Sequence, residues 1–174
     1  MEQIKEFNEI TRIDERHVLL GQMTGGILAL EKLHSAVSAI ELRSEVPSEI
    51  RGQFNVARNM TLYSFFCFSL APEVRMKSYS VMELALRTRF GDRETHLKNL
   101  VRRAVDRGLL LDRGFRHLEE DPENSYSRSL IDVLPSLRNE AAHGSTLVTP
   151  DCLGHIEKCA DFVNQIFVNE ERTT

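Results

Sequence analysis

The run Cys152-Leu153-Gly154-His155-Ile156-Glu157-Lys158-Cys159-Ala160-Asp161-Phe162-Val163-Asn164-Gln165-Ile166-Phe167 is the clearest helical signal in the chain. Leu153, Ile156, Ala160, Val163 and Phe167 recur at spacings of three and four, which is the period of a helix with one buried stripe. A helix is expected over about 150–168, and Thr149 or Asp151 can cap its start with a side-chain oxygen. The same period recurs upstream. Residues 126–143 read as a helix that Pro135 should kink or restart. Residues 93–108 carry Leu97, Leu100, Val101, Ala104 and Val105, with Gly108 as the stop. Residues 73–90 carry Tyr79, Met82, Leu86 and Phe90, closed by Gly91-Asp92. A helix over 48–70 is expected to end before Pro72, and its Phe65-Phe66-Cys67-Phe68 run marks it as central and buried. Pro47 suits its opening turn. Residues 17–42 show a stripe of Leu20, Met23, Ile27, Leu30, Leu33 and Val37, weakened at Gly25-Gly26 by a kink or a close packing point. Residues 109–124 read as a connection with a short helical turn, and the acidic cluster 119–123 marks solvent.

The expected architecture is all-α, a bundle of about six helices with an extra N-terminal segment. Residues 1–50 form a helical extension packed on a core unit of 51–174, one globular whole. Hydrophobic residues make up 41% and charged residues 28%, the balance of a folded chain with a real core. A formal charge of −4 excludes a generally basic nucleic-acid coat, so RNA contact requires a local patch. Cys67, Cys152 and Cys159 are an odd set, which argues against a disulfide framework and for a reducing compartment. Cys152 and Cys159 stand seven apart on one helix, which suits packing better than metal binding. Met1–Arg16 is too charged for a secretion signal, and no apolar run reaches the ~18–20 residues of a membrane span. A cytoplasmic protein without a membrane partner is expected.

The chemistry concentrates in Arg138-Asn139-Glu140-Ala141-Ala142-His143-Gly144. A His can move a proton near neutral pH, and an Arg can hold a phosphate and its growing charge. Five helical positions turn the chain by about 140°, so one copy does not easily aim both side chains at one phosphate. Two copies about a two-fold axis can share a cleft, which predicts a homodimer. His143 falls where a helix should end, before Gly144, and a helix C-terminus favours imidazolium there.

Glu83 lies on the Tyr79–Leu86–Phe90 stripe and should face the core side. A carboxylate there needs a partner, unless the position is an edge that reaches solvent, the other reading of this residue. Arg138 is the candidate, with Arg87 as its local competitor one turn away. Residues 87–116 hold nine Arg and Lys against four carboxylates, a local excess of five positive charges. Arg87, Arg102, Arg103 and Arg107 are the candidate RNA-binding residues of this patch, and an ordinary solvated helix face is the other reading. The other histidines, His17, His34, His96, His117 and His155, lack metal-ligand spacing, and surface or cap roles are expected for them. No metal or cofactor is expected.

The pattern Arg-polar-x-x-x-His, here Arg138-Asn139-(Glu-Ala-Ala)-His143-Gly144, resembles the motif of HEPN domains. The preceding stretch Met82-Glu83-Leu84-Ala85-Leu86-Arg87-Thr88-Arg89-Phe90-Gly91 resembles them as well, and the similarity spans about residues 54–168. The resemblance implies a small all-helical domain that dimerises so that paired motifs form a metal-independent RNase site. It implies attack by the RNA 2′-hydroxyl and a 2′,3′-cyclic phosphate product. Many members are toxins or phage-defence proteins, some have lost activity, and an antitoxin or regulatory partner is implied. Arg138 and His143 would be catalytic and Asn139 and Glu83 supporting. The other expectation is a non-catalytic module of the same fold that binds RNA, a nucleotide or a protein.

Overall fold

A computed structural model describes residues 3–24, 26, 29–119, 121–143 and 151–168, and its regular structure there is all helical, without a strand. Among the described residues seven α-helices follow in chain order: α1 (Glu15–Thr24), α2 (Leu30–Ser38), α3 (Ser48–Tyr63), α4 (Ala71–Phe90), α5 (Leu97–Asp106), α6 (Ser125–Ala142) and α7 (Cys152–Val168). Short 3-10 turns occupy Phe7–Glu9, Phe68–Leu70 and Asp112–Gly114. The helical bundle expected from the periodicity is therefore present, and the connection after α5 holds its short turn.

α4 is the hub, packed against α3, α5, α6 and α7. It buries residues on more than one face, including Val74, Tyr79, Val81, Met82 and Leu86. Ala71, Ser78 and Ala85 fall seven apart among them, and small residues at that spacing let a partner helix approach closely. α7 answers with Cys152, Cys159 and Ile166, also seven apart and buried. The Cys159 Sγ lies 3.5 Å from the Ser78 carbonyl, and burial pushes its thiol pKa far above the ordinary range. The paired cysteines of α7 serve packing, as their spacing suggested. Gly91 ends α4 at φ 63°, a left-handed position that favours glycine, and its N–H donates to the Arg87 carbonyl.

Four details differ from the periodicity reading. The 17–42 stripe is two helices, because α1 ends at Thr24 and α2 begins at Leu30. Two successive glycines each cost a helix about 1 kcal/mol relative to Ala, enough to end a short one. Leu33 and Val37 are buried while Met23 is exposed; Gly25 and Ile27 lie outside the described residues. α3 ends at Tyr63, so Phe65–Phe68 forms a packed turn, and α4 takes the central place expected for the 48–70 helix. α5 starts at Leu97, since Asp92 accepts the Glu94 and Thr95 amides (3.2 and 3.0 Å) and the Thr95 hydroxyl (2.7 Å), fixing a turn. Of the kink or restart expected at Pro135, the restart is absent: α6 runs through it as one helix, although the ring gives up the hydrogen bond to the carbonyl four residues earlier and crowds that carbonyl.

Side chains from outside the helices fix their ends. Asp112, 2% exposed, accepts the Tyr126 and Ser127 amides at 3.0 and 2.7 Å and so caps α6. Asp151 caps α7 by accepting the Gly154 amide at 3.0 Å; Thr149 lies outside the described residues. The residues before α3 are not separate from the core: Leu33, Val37, Ile40 and Val46 share one buried cluster with Ile50 and Phe54.

Asp14 holds the Phe65–Phe68 turn to the N-terminal segment. Its backbone N–H donates to the Phe65 carbonyl at 3.0 Å, and its carboxylate accepts the Phe68 amide at 2.9 Å and the Arg16 guanidinium at 2.7 Å. Burial alone would raise its pKa, but the bonds from Arg16 and Phe68 outweigh burial and hold it well below the usual carboxylate range. A depressed folded pKa gives stability that is present above the unfolded value of about 3.9 and lost as pH falls toward the folded one. Asp14→Asn should therefore be less stable than the parent at pH 7, with the gap shrinking below about pH 4. Urea unfolding at pH 7 and pH 3 measures it; a gap that stays constant contradicts the assignment.

Candidate functional site

Glu83 and Arg138, 55 residues apart, meet where α4 faces α6. The Arg138 Nε donates to Glu83 Oε2 at 3.2 Å. The other carboxylate oxygen accepts Arg87 Nε and Nη2 at 3.1 and 2.7 Å. Glu83 is thus shared by the partner proposed for it and by its local competitor. Its side chain is 15% exposed, against 37% for Arg138, so the carboxylate lies below and the guanidinium reaches outward. Arg87 also donates through Nη1 to the Arg93 carbonyl at 2.7 Å and the Thr95 carbonyl at 3.3 Å, tying the 92–95 turn to α4.

These residues wall a groove of about 530 Å³ between α4, α6 and the start of α5. Asn139 lines it beside Arg138, with His96 and Lys98 opposite. His96 holds the N-cap position of α5, and its place in the groove was not legible in the sequence. It stands next to a loop whose path depends on Asp92, and no spacing pattern ties it to Arg138. Lys98 is paired with Asp132 on α6, and that bond, more than the Lys98 and Arg102 charges, holds the Asp132 carboxyl below its ordinary range.

His143 is at the C-cap of α6, exposed, with its backbone N–H donating to the Asn139 carbonyl at 3.1 Å. Gly144 lies outside the described residues. Arg138 and Asn139 line the groove and His143 is not among its lining residues, as an offset of about 140° on one helix leads one to expect.

The four patch arginines take different positions. Arg103 and Arg107 both stack on the Phe90 ring, at 4.4 and 5.5 Å from its centroid. Arg102 is exposed on the α5 side near Asp132. Arg87 is turned into the groove by Glu83 and the two carbonyls. Among the described residues no three His, Cys, Asp or Glu side chains cluster as a metal site, and no helix is long and apolar enough to cross a membrane. In comparisons with known proteins, no family model matches the chain, and no curated protein or solved structure matches it.

Proposed function

We propose that this chain is a metal-independent endoribonuclease of the HEPN type, working as a cytoplasmic homodimer and held in check by an antitoxin or other regulatory protein. The observation that carries this reading is the Glu83–Arg138 bond. It joins the two stretches on which the resemblance rests, 82–91 and 138–144, at the wall of one polar groove. A second feature supports the dimer: Val133 and Leu137, one turn apart on α6 and next to Arg138, are exposed large apolar residues. A second copy packed there would bring two α6 C-termini together.

In this reading Arg138 binds the scissile phosphate and meets the charge that grows on its oxygens. One copy's His143 takes the 2′-hydroxyl proton as the 2′-oxygen bonds to phosphorus. The bond to the 5′-oxygen breaks, and the partner's His143 returns a proton to that leaving group. Asn139 positions Arg138 or the phosphate, and Glu83 orients Arg138 from below. The patch around Arg103 and Arg107 guides the RNA backbone.

Glu83→Gln keeps the shape and removes the charge. It should lower kcat/KM by about 10–100-fold through a misplaced Arg138. The fold should lose less than about 2 kcal/mol, because Arg87 keeps its two carbonyl acceptors. Unchanged kinetics would remove Glu83 from the site. The alternative is a non-catalytic binding module of the same fold that holds RNA, a nucleotide or a protein partner. Incubating the protein with total RNA and with DNA in EDTA separates the two. Cleavage confined to RNA supports the nuclease, and intact RNA that stays bound supports the module.

A further inference from the structure

A cavity of about 250 Å³ lies between α4, α6 and α7. It is a different space from the groove: Met82 and Leu137 line the cavity, while Glu83 and Arg138, next to them in the chain, line the groove. Its apolar wall is made by Met82, Phe115, Leu130, Leu134 and Phe162, none more than 9% exposed. Val133 and Leu137 are the exposed apolar residues of its rim. An apolar cavity of about 150 Å³ takes benzene, so this one has room for a ring with a short chain attached.

Three polar side chains face this apolar space without a hydrogen bond to the protein. Tyr79 is 7% exposed, and among the described residues its hydroxyl has no partner. A buried tyrosine normally bonds that group. The Tyr126 hydroxyl and the His155 ring nitrogens have no partner among the described residues either. Ring contacts fix all three: Tyr79 meets His155 edge-on at 6.3 Å between centroids, and Tyr126 meets Phe115 edge-on at 5.0 Å. Burial raises the pKa of both phenols, so each keeps an O–H to donate at neutral pH. The Ser129 hydroxyl is already spent on the Tyr126 carbonyl at 2.7 Å.

Lys158 brings the charge. Its Nζ stands 3.9 Å from Asp151 Oδ2, a loose pair, and Asp151 is not part of the wall. Among the described residues no carboxylate lines the cavity. The wall therefore offers donors and one cation, and what it lacks is an acceptor with negative charge. Most of the wall is buried, which suits a small molecule better than the flat face of another protein.

We propose that this cavity binds a small organic acid. Its ring or short chain fills the apolar wall, and its carboxylate meets the tyrosine hydroxyls and Lys158. The site stands without the ribonuclease reading.

Calorimetric titration of the full chain with 3-phenylpropanoate, indole-3-carboxylate and octanoate tests it, each beside its neutral amide. At least one acid should bind with a Kd below about 1 mM, and more tightly than its amide. Tyr79→Phe keeps the ring and removes only an unbonded hydroxyl, so it should melt with the parent. It should weaken that acid about 10–100-fold, the range of a hydrogen bond to a charged group. Lys158 is 38% exposed, so Lys158→Met leaves the fold intact and should abolish the preference for acid over amide. Equal affinity in parent and Tyr79→Phe would overturn the site, as would a preference that survives Lys158→Met. Failure of all three acids to bind below about 1 mM would do the same. Acid binding that weakens as protein concentration rises would give the cavity to a second copy and overturn the ligand. None of these readouts is RNA cleavage, so loss of the nuclease reading leaves the site standing.

Discussion

His143→Ala should cleave RNA about 10²–10⁴-fold more slowly than the parent, the range general acid–base catalysis contributes. The side chain is exposed at the C-cap of α6, where its backbone N–H bonds the Asn139 carbonyl. Alanine keeps that bond and buries no new group, so the fold should be unaffected. The loss then belongs to proton transfer, and single-turnover kinetics on a labelled RNA read it. If His143 of one copy is the base and that of the other the acid, the substitution removes both at once. Undiminished cleavage by rigorously purified His143→Ala protein contradicts this role.

Arg138→Lys should fail to restore what Arg138→Ala loses. The two variants should fall within about tenfold of each other, because a point charge does not replace a bidentate fork at a phosphate. The structure adds a reason. Glu83 takes one edge of the guanidinium through Nε and so orients the fork toward the groove. An ammonium has one nitrogen: bound to Glu83, it has no second nitrogen to offer the phosphate. Comparing kcat/KM for the two variants measures this, and near-parent activity in Arg138→Lys would make Arg138 a simple counter-charge.

What the sequence made legible depended on how local the cause was. α7 carries a full-length apolar pattern that a helical period detects, and Gly91 marks the end of α4, whose buried residues lie on more than one face. The pair Gly25-Gly26 was visible but read as a weakness within one helix, where the chain has two. The Phe65–Phe68 run misled because an apolar stretch without a period fits a buried helix or a packed turn equally well. What decides for the turn is Asp14, 54 residues from the Phe68 amide it accepts, and no local pattern encodes that contact. Glu83 was legible as a carboxylate on an apolar stripe, which demands a cation, and Arg138 is the long-range one it meets. Arg75 stands on the same stripe, four residues before Tyr79, with no local pattern that marks it as buried. Its burial, with Nε and Nη2 unpartnered among the described residues, sets it apart from an ordinary surface arginine.

The most direct test of the central claim is the chemistry of the ends produced when the wild-type protein is incubated with a defined RNA in EDTA. The account predicts cleavage that survives the chelator, 2′,3′-cyclic phosphate and 5′-hydroxyl ends, and resistance of any linkage whose 2′-hydroxyl is replaced by hydrogen. Ends carrying 3′-hydroxyl and 5′-phosphate, cleavage at 2′-deoxy positions, or activity that appears only with a divalent metal would contradict it.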